Sequence, residues 1–169
     1  MTDIRIVGYA DLPVVTMDWL LKPNGALDES DELATAIKVA LGTDALAQPD
    51  DFLPDIDSTD RRGWWADQDA ALLWNGWAPI GTRLWLMQRE AIRDAGSQQG
   101  STMARIEQYI AEALQPFVDQ LIVGRFDITV IRAGTNNIQA YVVAYRGPLP
   151  DIAMNFQGLW SEITGQPGR

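Results

Sequence analysis

Residues 101–117, STMARIEQYIAEALQPF, followed by residues 125–146, RFDITVIRAGTNNIQAYVVAYR, decide the fold. In the first stretch Met103, Ile106, Ile110, Ala113, Leu114 and Phe117 recur at helical spacing, so the pattern predicts a helix starting at Ser101 or Thr102 with one apolar face. Pro116 has no amide hydrogen and crowds the preceding turn, and is expected to kink or end that helix. In the second stretch two β-rich runs, 125–132 and 138–146, flank the Gly/Asn-containing connection 133–137, which predicts a β-hairpin. Phe126, Ile128 and Val130 share one face of the first strand, and Tyr141, Val143 and Tyr145 share one face of the second. Either Ile128 and Val130 or Tyr141 and Val143 must then meet the helix. Ile152 to Gln157 reads as a third strand.

Working towards the N-terminus, Ala95 to Gly100 is a polar break, and Arg83 to Arg93 reads as a helix carrying Leu84, Trp85 and Met87. Leu33, Ala36, Ile37, Ala40 and Leu41 form the buried face of an earlier helix, with Ser30 placed to cap it and Gly42 to end it. Ile4 and Ile6, then 14–21, read as two strands separated by residues 8–13, and Pro23-Asn24-Gly25 marks a turn. The expected architecture is α+β: a small, mostly antiparallel sheet packed by two amphipathic helices, with a long Trp/Asp-rich loop region. The whole chain, 1–169, reads as a single domain, divided into N-terminal strands or arm (1–27), a long loop insertion (43–82) and a helix plus β-hairpin (101–146).

Composition narrows the function. The 169 residues include neither cysteine nor histidine, which removes disulfides, thiolate chemistry, Ser-His-Asp triads and the usual Cys- or His-ligated metal sites. A net charge of −10 argues against nucleic acid or an anionic membrane as a partner. No apolar run approaches the ~20 residues that span a bilayer, and the N-terminus lacks a signal-peptide pattern. These features predict a chain made in a cytoplasm or built into something assembled there. Residues 28–69 hold 12 of the 23 acidic residues against three basic ones. That segment reads as a solvated loop, with a docking surface for a basic patch as the sharper alternative.

Three constellations invite chemistry. Asp50, Asp51, Asp55, Asp57 and Asp60 are dense enough to suggest calcium or an acid–base pair, yet two prolines and no glycine spoil an EF-hand loop, and a glycosidase pair requires a separation that spacing does not reveal. Trp64, Trp65, Trp74, Trp77 and Trp85 fall within 22 positions. They suit a sugar-stacking platform, but core and interface packing accounts for them better, and Trp64, Trp65 and Trp85 are expected to be buried in the core or at an inter-subunit contact. Arg61 and Arg62 are placed to pair with Asp55, Asp57, Asp60 or Asp67 and to stack on indole. No phosphate loop, dinucleotide fingerprint or nucleophile motif accompanies them, so the residues predict an interaction domain that is not an enzyme and takes no cofactor or metal.

The ordered pieces Asp18-Trp19 … Gly25, Leu33-Ala34-Thr35-Ala36, Leu41-Gly42-Thr43-Asp44, Asp50-Asp51 … Pro54, Asp60-Arg61-Arg62-Gly63-Trp64-Trp65-Ala66-Asp67 and Gly81-Thr82-Arg83-Leu84-Trp85-Leu86 resemble the small baseplate protein of Mu-like contractile-tailed bacteriophages. The match runs from about Asp18 to Tyr145. That family is similar to the small wedge protein of T-even phages, sometimes labelled a lysozyme. The resemblance implies a structural wedge component in the virion tail, several copies around a sixfold baseplate, and contacts with large wedge proteins and the tail sheath. It also implies a fold shared with sheath subunits, so that an edge of the 125–146 hairpin templates the first sheath ring by strand addition. The interface candidates are Arg61, Arg62, Trp64, Trp65, Arg83, Trp85, Gln115, Pro116, Phe117, Ile138, Tyr141 and Val143. Where the wider wedge family has Glu-Pro-Arg, this chain has Gln115-Pro116-Phe117, which keeps the proline, loses both charges and puts packing by Phe117 in their place. The alternative function is a carbohydrate-binding or muralytic tail protein.

Overall fold

The computed structural model describes residues 6–9, 16–19, 21–27, 32–73, 77–93, 101–135, 137–148 and 150–156. It is an α+β fold. Strands β1 (Ile6–Tyr9) and β2 (Thr16–Trp19) form an antiparallel pair. The following turn is held by Gly25 N–H on Lys22 O, by Ala26 N–H on the Asn24 side chain, and by Gly25 at φ +80°. Helix α1 (Glu32–Gly42) buries Leu33, Thr35, Ile37 and Ala40. Thr35 is buried as well, on the side of the helix away from the face that the apolar spacing marks, while Ala36 and Leu41 are half-buried. Gly42 is the last helical residue, and the Thr43 hydroxyl donates to Val39 O at 2.7 Å, satisfying one of the end carbonyls. The expected cap at Ser30 and the cluster member Trp74 lie outside the described residues.

A single turn of helix, α2 (Ala70–Leu73), follows a 3-10 turn at Trp65–Asp67. Residues 83–93 do not form the expected helix. A 3-10 turn spans only Arg83–Met87, and Leu84, Trp85, Leu86 and Met87 are all buried. Four consecutive buried side chains surround the backbone on every side, which no one-faced helix satisfies. Thr82 caps the turn, its hydroxyl accepting from Leu84 N–H at 3.3 Å.

Helix α3 (Thr102–Asp119) buries Ile106, Tyr109, Ile110, Ala113 and Leu114. Pro116 does not end it. The helix runs three residues further, because Phe117 is packed on the core and its ring meets Phe126 edge-on at 6.3 Å. The actual stop is Leu121 at φ +58°. Ile122 N–H donates to Phe117 O and Leu121 N–H to Val118 O, the paired bonds of a Schellman end in which glycine is the usual residue.

Strands β3 (Arg125–Gly134), β4 (Asn137–Tyr145) and β5 (Pro150–Phe156) form an antiparallel sheet in that order. The hairpin connection is tighter than the five residues expected. Gly134 pairs with Asn137, and a bulge between Arg132 and Gly134 absorbs the extra residue. The register sets Ile128 against Val142 and Val130 against Ala140. Those residues, with Ile138 and Ala144, form the core face, and Tyr141 and Val143 stand half-buried on the other. Between the two faces offered by the sequence, packing therefore selects Ile128 and Val130. Helix α3 packs on the sheet mainly at β3. Helix α1 leans mainly on α3 rather than on the sheet.

Candidate functional site

The long segment between α1 and the Arg83–Met87 turn is pinched shut at its base. Thr82 N–H donates to Thr43 O at 2.9 Å, and Ala45 N–H donates to Thr82 O at 3.0 Å, a two-residue parallel bridge between stretches 38 positions apart. Gly81 sits against this bridge at φ +116°. A Cβ there would lie 2.8 Å from Ala45 N and from Thr43 O, so both conformation and space demand glycine. The Thr82 hydroxyl also reaches Tyr109 O on α3. This neck fastens the loop to the helical layer.

Arg83 crosses the neck. Its guanidinium donates to both oxygens of Asp51, at 2.9 and 3.1 Å, and to Glu112 on α3, and lies 4.9 Å from the centre of the Tyr109 ring. Burial opposes the charge on Arg83, but the hydrogen bonds and attraction of Glu112 and Asp51 outweigh it, raising the pKa above the ordinary arginine value. Asp51 is itself braced, since it accepts Gln48 N–H at 2.8 Å. Arg105 repeats the theme. It grips both Glu90 oxygens at 2.7 Å and faces Tyr109 from 5.9 Å.

Arg61 donates to the carbonyls of Gln48 and Pro49, while Ala47 N–H donates back to Arg61 O. Arg62 adopts φ +52° and the next residue, Gly63, φ +103°, which swings the Arg62 side chain over the Trp85 ring at 4.6 Å and onto Asp44 at 2.6 Å. Stacking of arginine on indole is thus as expected. The acid is Asp44, however, and not Asp55, Asp57, Asp60 or Asp67. Asp60 instead accepts the Arg62 backbone N–H, Asp67 accepts Ile80 N–H, and Asp55 stands 3.8 Å from Arg89. Trp85 is buried, its indole N–H donating to Ala45 O at 2.8 Å. A groove of about 260 Å³ opens beside it, walled by Leu53, Asp60, Arg62, Gln88 and Arg89.

The tryptophans divide. Trp64 is half-buried and stacks on Trp77 with centroids 6.3 Å apart and planes 17° from parallel. Trp65 tilts against Trp64 but is 75% exposed, so it does not join this chain's core. Away from the neck, Gln115 is exposed and bonds Asp119, Pro116 and Phe117 are half-buried, and Ile138 is fully buried in the core. Tyr141 and Val143 lie on β4, which is hydrogen-bonded on both sides. The interface candidates therefore form no single patch. Arg61, Arg62, Arg83 and Trp85 converge on the neck, Trp64 and Trp65 lie at the 3-10 turn, and the rest are spread over α3 and the sheet.

Sequence reading missed Asp44, Thr82, Glu112 and Tyr109 as partners. Thr43-Asp44 and Gly81-Thr82-Arg83 both stand in the pieces quoted above, but nothing in one sequence says that two such pieces touch. Among the described residues no group of three or more acidic side chains is placed to hold a metal ion, and no helix is long and apolar enough to cross a membrane.

A family model described as Phage protein GP46 matches residues 33–148, which takes in the neck, α3 and the hairpin and leaves out the Asp18 to Gly25 pieces. The baseplate protein gp46 of Escherichia phage Mu is 36% identical over 118 residues, covering 68% of this chain and 67% of that protein. The chain belongs to the phage protein GP46 family.

Proposed function

We propose that this chain is a structural, non-enzymatic subunit of a phage tail baseplate. The observation that carries the proposal is the fate of the arginines and the tryptophan in the pieces that carry the family resemblance. Arg61, Arg62, Arg83 and Trp85 are spent on contacts within the chain, as bonds to carbonyls, carboxylates and ring faces. Such residues define a shape, and a shape shared with a Mu baseplate protein fits an assembly role. In the finer reading the chain is a wedge component, repeated around a sixfold baseplate of a contractile tail, that contacts large wedge proteins and starts the first sheath ring. The β3 edge supports that last step, because among the described residues no strand pairs with its outer side. Charged Arg125, Asp127 and Arg132 stand towards its ends, leaving Ile128 to Ile131 uncharged for main-chain pairing.

The test is a comb of proline substitutions along β3. Proline where the amide faces β4 unfolds the hairpin, and proline at the alternating positions removes only an outward donor. The second set is expected to fold and to yield baseplates without sheath. Full-length tails from every folded variant would place the sheath contact elsewhere. Exposed Trp65 keeps a carbohydrate-binding or muralytic reading in play. Glycan-dependent quenching of tryptophan fluorescence, or saturable release from peptidoglycan abolished by one Asp or Glu substitution, would establish it in place of the structural one.

A further inference from the structure

Phe52 is 94% exposed and Ile56 is 95% exposed, although the loop that carries them is tied down. Asp51 is clamped by Arg83 and by Gln48 N–H, Arg61 holds the carbonyls of Gln48 and Pro49, and Ser58 N–H donates to Asp55 O. Between the two exposed residues Leu53 turns inward and packs on the core. The loop thus has an inward anchor and two outward apolar side chains on a fixed backbone. A chain with a sizeable core gains nothing by holding a phenylalanine and an isoleucine in water, whereas fixed, pre-ordered apolar side chains suit a protein contact. Asp50, Asp55, Asp57 and Asp60 share this loop, and among the described residues no cation pairs with Asp50 or Asp57.

We propose that Phe52 and Ile56 are the anchors of a docking ridge that inserts into apolar pockets rimmed by lysine and arginine on a different polypeptide of the particle. The charge selects this occupant. A second copy brings a net charge of −10 to an acidic loop, and nucleic acid or anionic lipid is repelled by it. The ridge is separate from the β3 edge, so the chain would hold two neighbours by two different physical means: apolar anchors in an acidic field here and main-chain pairing there. The inference rests on the baseplate reading for the identity of the particle, and the experiment separates the two.

Purified full-length protein, with a photo-crosslinking residue at position 52, is added to tail precursors assembled in its absence, and incorporation is followed by sedimentation. If unmodified protein fails to incorporate, the baseplate reading falls and the ridge falls with it. If it incorporates, the double variant Phe52→Ser/Ile56→Ser is expected to bind roughly 100-fold less tightly while melting like the parent. The crosslinked peptide is expected to come from another polypeptide and to carry Lys or Arg beside apolar residues. Asp50→Asn/Asp57→Asn is expected to flatten the salt dependence of incorporation. Normal binding by the double variant, or a crosslink only to a second copy of the chain, would overturn the ridge and leave the baseplate reading intact.

Discussion

The neck around Gly81 and Arg83 and the outer strand β3 are built from similar residues and use them in opposite ways. At the neck, arginines sit among carboxylates and ring faces, and Arg83 is largely shielded. Arg83 and Asp51 have side chains 17% and 15% exposed. On β3, Arg125 and Asp127 pair at 3.4 Å with more than half of each side chain in water, and Arg125 lies over Tyr145 at 3.9 Å. Ion pairs that stay solvated contribute little, while a shielded, doubly hydrogen-bonded arginine costs much to orphan. The neck is therefore the place where the chain is intolerant, and β3 the place where it is free to meet something else.

Glycine substitutions should expose this contrast most strongly. Gly81→Ala forces a Cβ to within 2.8 Å of two backbone atoms at φ +116°, and is expected to cost about 3 kcal/mol or more in a denaturant melt. Gly134→Ala at the hairpin tip, where the new Cβ would stand 3.9 Å from the Asn137 side chain, should stay within about 0.5 kcal/mol of the parent. Equal losses would erase the distinction.

The arginines come next. Arg83→Met leaves Asp51 shielded without its cation and is expected to cost about 2 kcal/mol, less than for a fully buried pair because some water reaches it. Arg125→Met should leave the melting temperature unchanged. At the end of α3 the sign reverses. Leu121 holds φ +58° with its side chain 90% exposed, so Leu121→Gly relieves backbone strain without removing packing and should gain about 0.5–1 kcal/mol. A loss there would mean that the leucine makes contacts that its exposure does not suggest.

The smallest effect is a pH dependence. Burial pushes the Asp67 carboxyl above the usual aspartate range, and the backbone N–H of Ile80 and the Trp77 indole beside it pull only partly the other way. A carboxyl whose pKa is raised by folding contributes its full stability below the unfolded value and loses it as pH rises through the folded one. Asp67→Asn stays neutral and keeps an acceptor for Ile80 N–H. Its stability relative to the parent is therefore expected to rise between acid and neutral pH. Parallel pH profiles would assign the burial no role.

What could be read in the sequence follows the same division. Helices α1 and α3 and the three-stranded sheet were legible because each buries one face, and spacing alone reveals a face. Of the two outcomes expected at Pro116, a kink or a stop, the stop does not occur: the proline's penalty is local, whereas Phe117 packing on Phe126 belongs to the tertiary structure and carries the helix on. The stretch 83–87 misled because burial on all sides has no period. The neck was legible only as a string of unusual residues. Asp44 and Arg62 are 18 positions apart, Asp51 and Arg83 are 32, and a single sequence gives no reason to pair them. Trp64 and Trp65 are neighbours in an irregular segment and need not share an environment: Trp64 is half-buried, while Trp65, 75% exposed, leaves the core and keeps only the inter-subunit contact among the two places expected for it.

The most direct test of the account is tail assembly supported by the double variant Arg83→Met/Asp51→Asn, which removes the ion pair at the neck, keeps an acceptor for Gln48 N–H and leaves Glu112 partly in water. If Arg83 serves the shape of this chain, the double variant recovers the stability lost by Arg83→Met and supports parental yields of complete tails. A double variant that folds at parental stability and yields none would contradict the account, because Arg83 would then be reaching a partner rather than holding the neck.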